Sequence, residues 1–226
     1  MSLFKDFKLF AKDRNVPGLM FDDYFKKIYS SYIEPTIVEE RTFNMTQISV
    51  FSRLFMDRIL FIGTEITSDV CNIINSQLLF LDSDNPGKKI DIYINSPGGS
   101  VYDGLSVYDM FNFIDCPIST TCIGTAASMG AVLLSSGDKG SRNALMNSKV
   151  MIHQPLGAVP YTQSENIKIY YSEMEKTKKT LYEILARNTG KDYDTIAADC
   201  DRDNWFTSNE AAAYGLIDKV LVKERK

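Results

Sequence analysis

Three short stretches of this 226-residue chain carry groups able to perform acyl transfer. Ser128 lies in GTAASMGAVLL, after the small residues Gly124, Thr125, Ala126 and Ala127 and before an apolar helical run. Small neighbours let another backbone approach the hydroxyl closely. A helix opening at this serine leaves its first N–H groups without intrahelical partners, so the Met129 N–H could bind an oxyanion. The ordinary alternative is a serine N-cap, and the segment alone favours neither reading. The second stretch, NSPGG at residues 95–99, follows an apolar β-type run. Pro97 stiffens the turn, while Gly98 and Gly99 permit backbone geometries that could aim an N–H at a carbonyl oxygen. It is no phosphate loop, since neither GK[ST] nor GxGxxG spacing is present.

The third stretch supplies the base. His153 is the only histidine in the chain, and serine activation ordinarily requires a neutral imidazole. A third group must orient the ring, and Asp192, Asp194, Asp199, Asp201 and Asp203 crowd the segment KDYDTIAADCDRDNWF. Spacing does not choose among them. The order serine, histidine, aspartate argues against an α/β-hydrolase, where the acid falls between the other two and the elbow reads GxSxG. Here Ala126 occupies the first glycine position, and Asp138 is the only intervening aspartate.

The elements that must position these residues are legible from about Arg58 onward, where β-rich apolar runs alternate with helical patterns, so the fold class is α/β with a largely parallel sheet. Strands are predicted at residues 59–63, 90–94, around 118–123 and 149–153, with helices at 68–81 and 101–113 and a short apolar helix from Ser128. Ser128, the glycine turn and His153 then fall at ends of successive strands, which can share one sheet edge. Residues 162–189 predict a long helix with Ile167, Tyr170, Tyr171, Met174, Leu181 and Leu185 on one stripe. Thr162 and Glu165 fit a capping box at its start, and Gly190 fits a left-handed stop.

Composition excludes several functions. With 44% hydrophobic residues the chain can bury a core without disulfide or metal staples. A net charge of −4 gives no basic surface for nucleic acid. Cys71, Cys116, Cys122 and Cys200 lack CxxC spacing, so no metal site is expected and the thiols read as reduced and buried, as in a cytoplasmic protein. No run approaches a membrane span. Residues 1–34 share none of the later rhythm and are set apart as an N-terminal extension, with one domain over 35–226.

The stretches INSPGGSVYDGLSVYD, CIGTAASMGAVLLSSGDKGSR and NSKVMIHQPLG resemble the ClpP family, the proteolytic subunits of the Clp protease. The resemblance runs in order from about Pro35 to Lys219. It implies a crotonase/ClpP-like fold of repeated βαβ units with a projecting handle helix, at roughly residues 158–190. It implies Ser128 as nucleophile, His153 as base, Asp199 as third member, and the backbone N–H groups of Gly99 and Met129 as oxyanion donors. It further implies a homo-oligomer of two stacked heptameric rings enclosing a chamber, with Arg202 and neighbouring acids at ring contacts. Unfolded polypeptides would be the substrates, fed by an AAA+ unfoldase that consumes ATP, while this subunit needs no cofactor. Residues 1–34 lie where the family carries a propeptide, and self-removal is expected. After PTIVEE the chain reads RTFNMTQ where the family commonly has a glycine-containing loop, so the pore gate is expected to differ. The rivals are a non-catalytic ring subunit, which would usually lack part of the triad, and an enoyl-CoA hydratase or isomerase, which typically uses acidic residues as acid and base.

Overall fold

The computed structural model describes residues 36–41, 44–158 and 161–223, so the expectation for residues 1–34 lies outside the described residues. The chain divides into two compact units, residues 1–60 and 61–226. In the first, β1 (Thr36–Arg41) pairs antiparallel with β2 (Asn44–Ser49), with Arg41 opposite Asn44. Ser49 caps α1 (Val50–Met56) by accepting the Ser52 N–H at 3.0 Å.

The remaining strands are β3 (Ile59–Ile62), β4 (Ile90–Ser96), β5 (Ile118–Ala127), β6 (Arg142–Leu145), β7 (Lys149–Ile152), β8 (Asn204–Thr207) and β9 (Lys219–Leu221). They make a seven-stranded sheet ordered β3-β4-β5-β6-β9, with β7 also on β5 and β8 beyond β7. The pairs β4–β5, β5–β6, β5–β7 and β6–β9 are parallel, as the alternation of strands and helices predicts, and β7–β8 is antiparallel. The fold is α/β, of the crotonase-like kind.

β5 is longer than the sequence suggests. Its first half pairs with β6 and its second half with β7, and residues 124–127, expected as a link, continue the strand. The crease between the halves is at Gly124, with φ of +136°, where a Cβ would come within 2.7 Å of Asn95 Oδ1. Side chains hold that crease: Asn95 Oδ1 accepts the Thr125 N–H at 3.1 Å, and Ser148 Oγ accepts the Gly124 N–H at 3.2 Å while donating to Cys122 O at 2.9 Å. These bonds give partners to backbone groups that the crease takes off the strand ladder.

Helix α2 (Ser68–Asp84) buries Cys71, Ile74, Leu78 and Leu81 at a spacing of three or four. Each such aliphatic side chain contributes about 1.5–3 kcal/mol when fully buried. The other helices are α3 (Val101–Phe113), the wholly buried α4 (Met129–Ser135), α5 (Ser164–Thr189), α6 (Tyr193–Asp199) and α7 (Ser208–Tyr214). α5 is the predicted long helix. Gly190 ends it at φ of +80°, as expected, but the capping box does not form. The N-cap is Gln163, Thr162 Oγ1 instead accepts from Asn166 Nδ2, and Glu165 pairs with Lys168. The apolar stripe changes role along the helix: Leu181 and Leu185 are buried, whereas Ile167, Tyr170 and Tyr171 are exposed.

One buried ion pair ties β6 to the loop entering β9. Arg142 donates from Nε and Nη2 to the two Asp218 oxygens at 2.9 and 2.6 Å, and Asp218 also accepts the Gly140 and Arg142 N–H groups. Burial would push the Asp218 carboxyl up, but these bonds together outweigh it and hold the group below its ordinary value. A carboxylate depressed in the folded state stabilises the protein above its unfolded pKa, and the contribution is lost as pH falls through the folded pKa. Asp218→Asn is therefore expected to lower stability by about 2–3 kcal/mol at neutral pH. In urea titrations the gap to wild type should close as pH drops below about 4; a gap independent of pH would contradict this account.

Candidate active site

Ser128 is placed by backbone bonds on both sides. Its N–H donates to Met151 O at 2.9 Å, extending the β5–β7 ladder one step past the strand. Its carbonyl accepts the Ala131 and Val132 N–H groups as α4 begins. Between these anchors the residue adopts φ +54° and ψ −123°, a conformation that costs a non-glycine residue about 1–3 kcal/mol and survives only where its surroundings impose it. The N-cap alternative fails, since the Ser128 side chain makes no capping bond. Its Oγ is instead 2.9 Å from His153 Nε2.

The glycine turn packs against this serine. Gly98 donates to Ser96 Oγ at 3.1 Å and sits at φ of +98°. A Cβ on Gly98 would be 2.6 Å from Ser128 Cβ and 2.8 Å from Ala127 O, so only glycine fits without displacing the Ser128 backbone. Gly99, at φ of +149°, is bridged to Ile66: the Ile66 N–H donates to Gly98 O and the Ser100 N–H to Ile66 O, both at 2.8 Å. The N–H groups of Gly99 and Met129 find no acceptor among the described residues. They are the two N–H groups that the family resemblance implies as oxyanion donors.

His153 follows β7 directly, and its side chain is only 11% exposed. Nδ1 is 3.0 Å from Asp203 Oδ1. With its proton on Nδ1, the ring donates to Asp203 and leaves Nε2 to accept the Ser128 hydroxyl. Here the structure corrects the expectation for Asp199. Asp199 Oδ2 accepts the Tyr214 hydroxyl at 2.6 Å, and Asp203 takes the place beside His153. The reason is the register of β8 on β7. Ile152 pairs with Asn204, so the next residues outward on the two antiparallel strands, His153 and Asp203, meet across the sheet edge. The alternation in NWF, read as a strand returning on KVMI, would have chosen Asp203. Of the other candidates, Asp192 caps α6 through the Thr195 N–H at 2.8 Å, and Asp201 pairs with exposed Arg202.

All four cysteines are free and buried, as expected. Burial first, with nearby Asp103 and Asp199 adding to it, pushes the Cys71 and Cys200 thiols up to about 12, which removes them as nucleophiles. Among the described residues no group of three His, Cys, Asp or Glu side chains is arranged around a metal position, and no helix is long and apolar enough to cross a membrane.

Serine, histidine and carboxylate in hydrogen-bonded series, beside two unpaired N–H groups at a strand-to-helix turn, constitute a serine hydrolase site. The chain belongs to the Clp protease family, whose model matches residues 42–224. That family is one of serine-type peptidases. The chain is 53% identical over 205 residues to the ATP-dependent Clp protease proteolytic subunit of Porphyromonas gingivalis, covering 91% of each. It is 50% identical over 220 residues to the protein of the same name in Bacteroides thetaiotaomicron, covering 97% of this chain and 99% of the relative. Against the ATP-dependent Clp protease proteolytic subunit 1 of Salinibacter ruber it is 45% identical over 207 residues, covering 92% and 88%.

The fit at Gly98 gives a direct test. Gly98→Ala should stay folded by thermal melting yet react with a fluorophosphonate about 100-fold more slowly, because the added methyl displaces Ser128. An unchanged rate would show that the turn and the serine are not mechanically joined.

Proposed function

We propose that this protein is the proteolytic subunit of an ATP-dependent Clp protease, a serine endopeptidase whose triad is Ser128, His153 and Asp203. The observation that carries the reading is the continuous hydrogen-bond series from Ser128 Oγ through His153 to Asp203, with the hydroxyl freed from capping. His153 Nε2 takes the hydroxyl proton as Oγ attacks a peptide carbonyl. Asp203 stabilises the imidazolium so formed, and the Gly99 and Met129 N–H groups receive the developing oxyanion. His153 returns the proton to the leaving amine. Water, deprotonated by His153 in turn, then hydrolyses the acyl-enzyme. No step needs a cofactor in this subunit.

The setting follows the same reading. The exposed half of α5, bearing Ile167, Tyr170 and Tyr171, is an apolar stripe with no cover among the described residues, which supports handle-to-handle contact between two stacked heptameric rings. A closed chamber admits unfolded polypeptides, so an AAA+ unfoldase would spend the ATP. The names of the relatives join proteolysis to ATP in the same way. The site of action would be cytoplasmic. A hydratase would need acidic groups where Ser128 and His153 stand.

Asp203→Asn is expected to lower kcat on a fluorogenic peptide about 10³- to 10⁴-fold with little change in KM. Ser128→Ala should abolish both turnover and fluorophosphonate labelling. Normal turnover by either variant would overturn the reading.

A further inference from the structure

We propose that Tyr214 and Asp199 act together as a latch that orients Asp203, making both positioning residues for the reaction proposed above, on which this inference rests. The need for a latch comes from Asp203 itself. Its side chain is 64% exposed, and its one side-chain hydrogen bond among the described residues is to His153. Among the described residues nothing but His153 holds the carboxylate, so its direction depends on the backbone of residues 199–206.

Tyr214 grips that backbone on both sides of Asp203. Its hydroxyl donates to Asp199 Oδ2 at 2.6 Å, four residues before, and its ring packs on Phe206 with centroids 4.8 Å apart, three residues after. Lys191 Nζ lies 4.4 Å over the same ring. Tyr214 is anchored in turn, being the last residue of α7, where Gly215 turns the chain at φ of +97° against Thr189 at the end of α5. Burial first, and the Asp199 bond next, raise the Tyr214 phenol above its ordinary value, so it remains a donor at working pH.

Asp199 sits where a carboxylate is otherwise unfavourable. It is the last residue of α6, at the negative end of the helix dipole, and no cation pairs with it among the described residues. The hydroxyl of Tyr214 is its compensation. From the opposite side Gln154, next to His153, donates its N–H to Cys200 O at 2.6 Å and its Nε2 to Asp201 O at 2.8 Å. The turn carrying Asp203 is thus held between the histidine strand and Tyr214.

The test uses the full chain, with peptide turnover expressed per Ser128 titrated by fluorophosphonate, so that loss of folded protein is divided out. Tyr214→Phe keeps the ring and removes only the donor; kcat is expected to fall about 5- to 10-fold with KM unchanged. Asp199→Ala should match it, and the double variant should be no worse than either single one. Asp199→Asn, which still accepts a hydrogen bond, should recover most of the activity. Wild-type kcat per titrated site in Tyr214→Phe, multiplicative losses in the double variant, or Asp199→Asn no better than Asp199→Ala would each overturn the latch. The triad reading fails separately, if wild type is not labelled at Ser128 or Asp203→Asn keeps full activity.

Discussion

The backbone of Ser128 is the constraint on which the site depends. A serine at φ +54° would relax on its own, and it is prevented by being the joint between a strand and a helix that are both fully engaged. Met151 holds its N–H as part of the sheet, α4 holds its carbonyl, and α4 is buried along its whole length. Relaxation would therefore break the β5–β7 ladder or unseat a helix from the core, each costing more than the strain. The consequence is chemical: the hydroxyl points away from its own helix and toward the imidazole, and the first helical N–H is left without a partner among the described residues.

The sheet topology brings the other components to the same place. Because β5 changes neighbour at Gly124, its second half can carry Ser128 past the end of β6 to lie beside β7, the strand that ends at His153. β8 returns antiparallel along β7 and delivers Asp203. β4 delivers the glycine turn, which Ile66 clamps so that Gly99 keeps its N–H free. Four strand ends thus meet at one edge, and Asn95 and Ser148, the polar pair that holds the crease, support it without touching Ser128, His153 or Asp203.

Much of this was legible because it rests on local pattern. The βαβ rhythm, the long helix and its glycine stop follow from periodicity, and the pairing of Ser128 with His153 follows from there being a single histidine and from the small residues that precede Ser128. The errors fall where long-range register decides. Residues 124–127 looked like a small-residue link, since their strand character comes from β7 alone. Asp199 and Asp203 are chemically identical and four residues apart, and only the alignment of β8 on β7 separates them. Family resemblance pointed to the neighbouring aspartate because the acidic run offers several similar positions. Thr162 and Glu165 have capping-box spacing, yet each finds another partner, Asn166 and Lys168, once the chain starts its helix one residue later.

The most direct measurement is a crystal structure of the full chain inhibited by a peptidyl boronate, in which boron takes the place of the tetrahedral carbonyl carbon. The account predicts a bond from Ser128 Oγ to boron, one boronate oxygen within hydrogen-bond distance of both the Gly99 and Met129 N–H groups, and His153 Nδ1 on Asp203. A boronate oxygen turned away from those two groups, or His153 joined to Asp199, would contradict it.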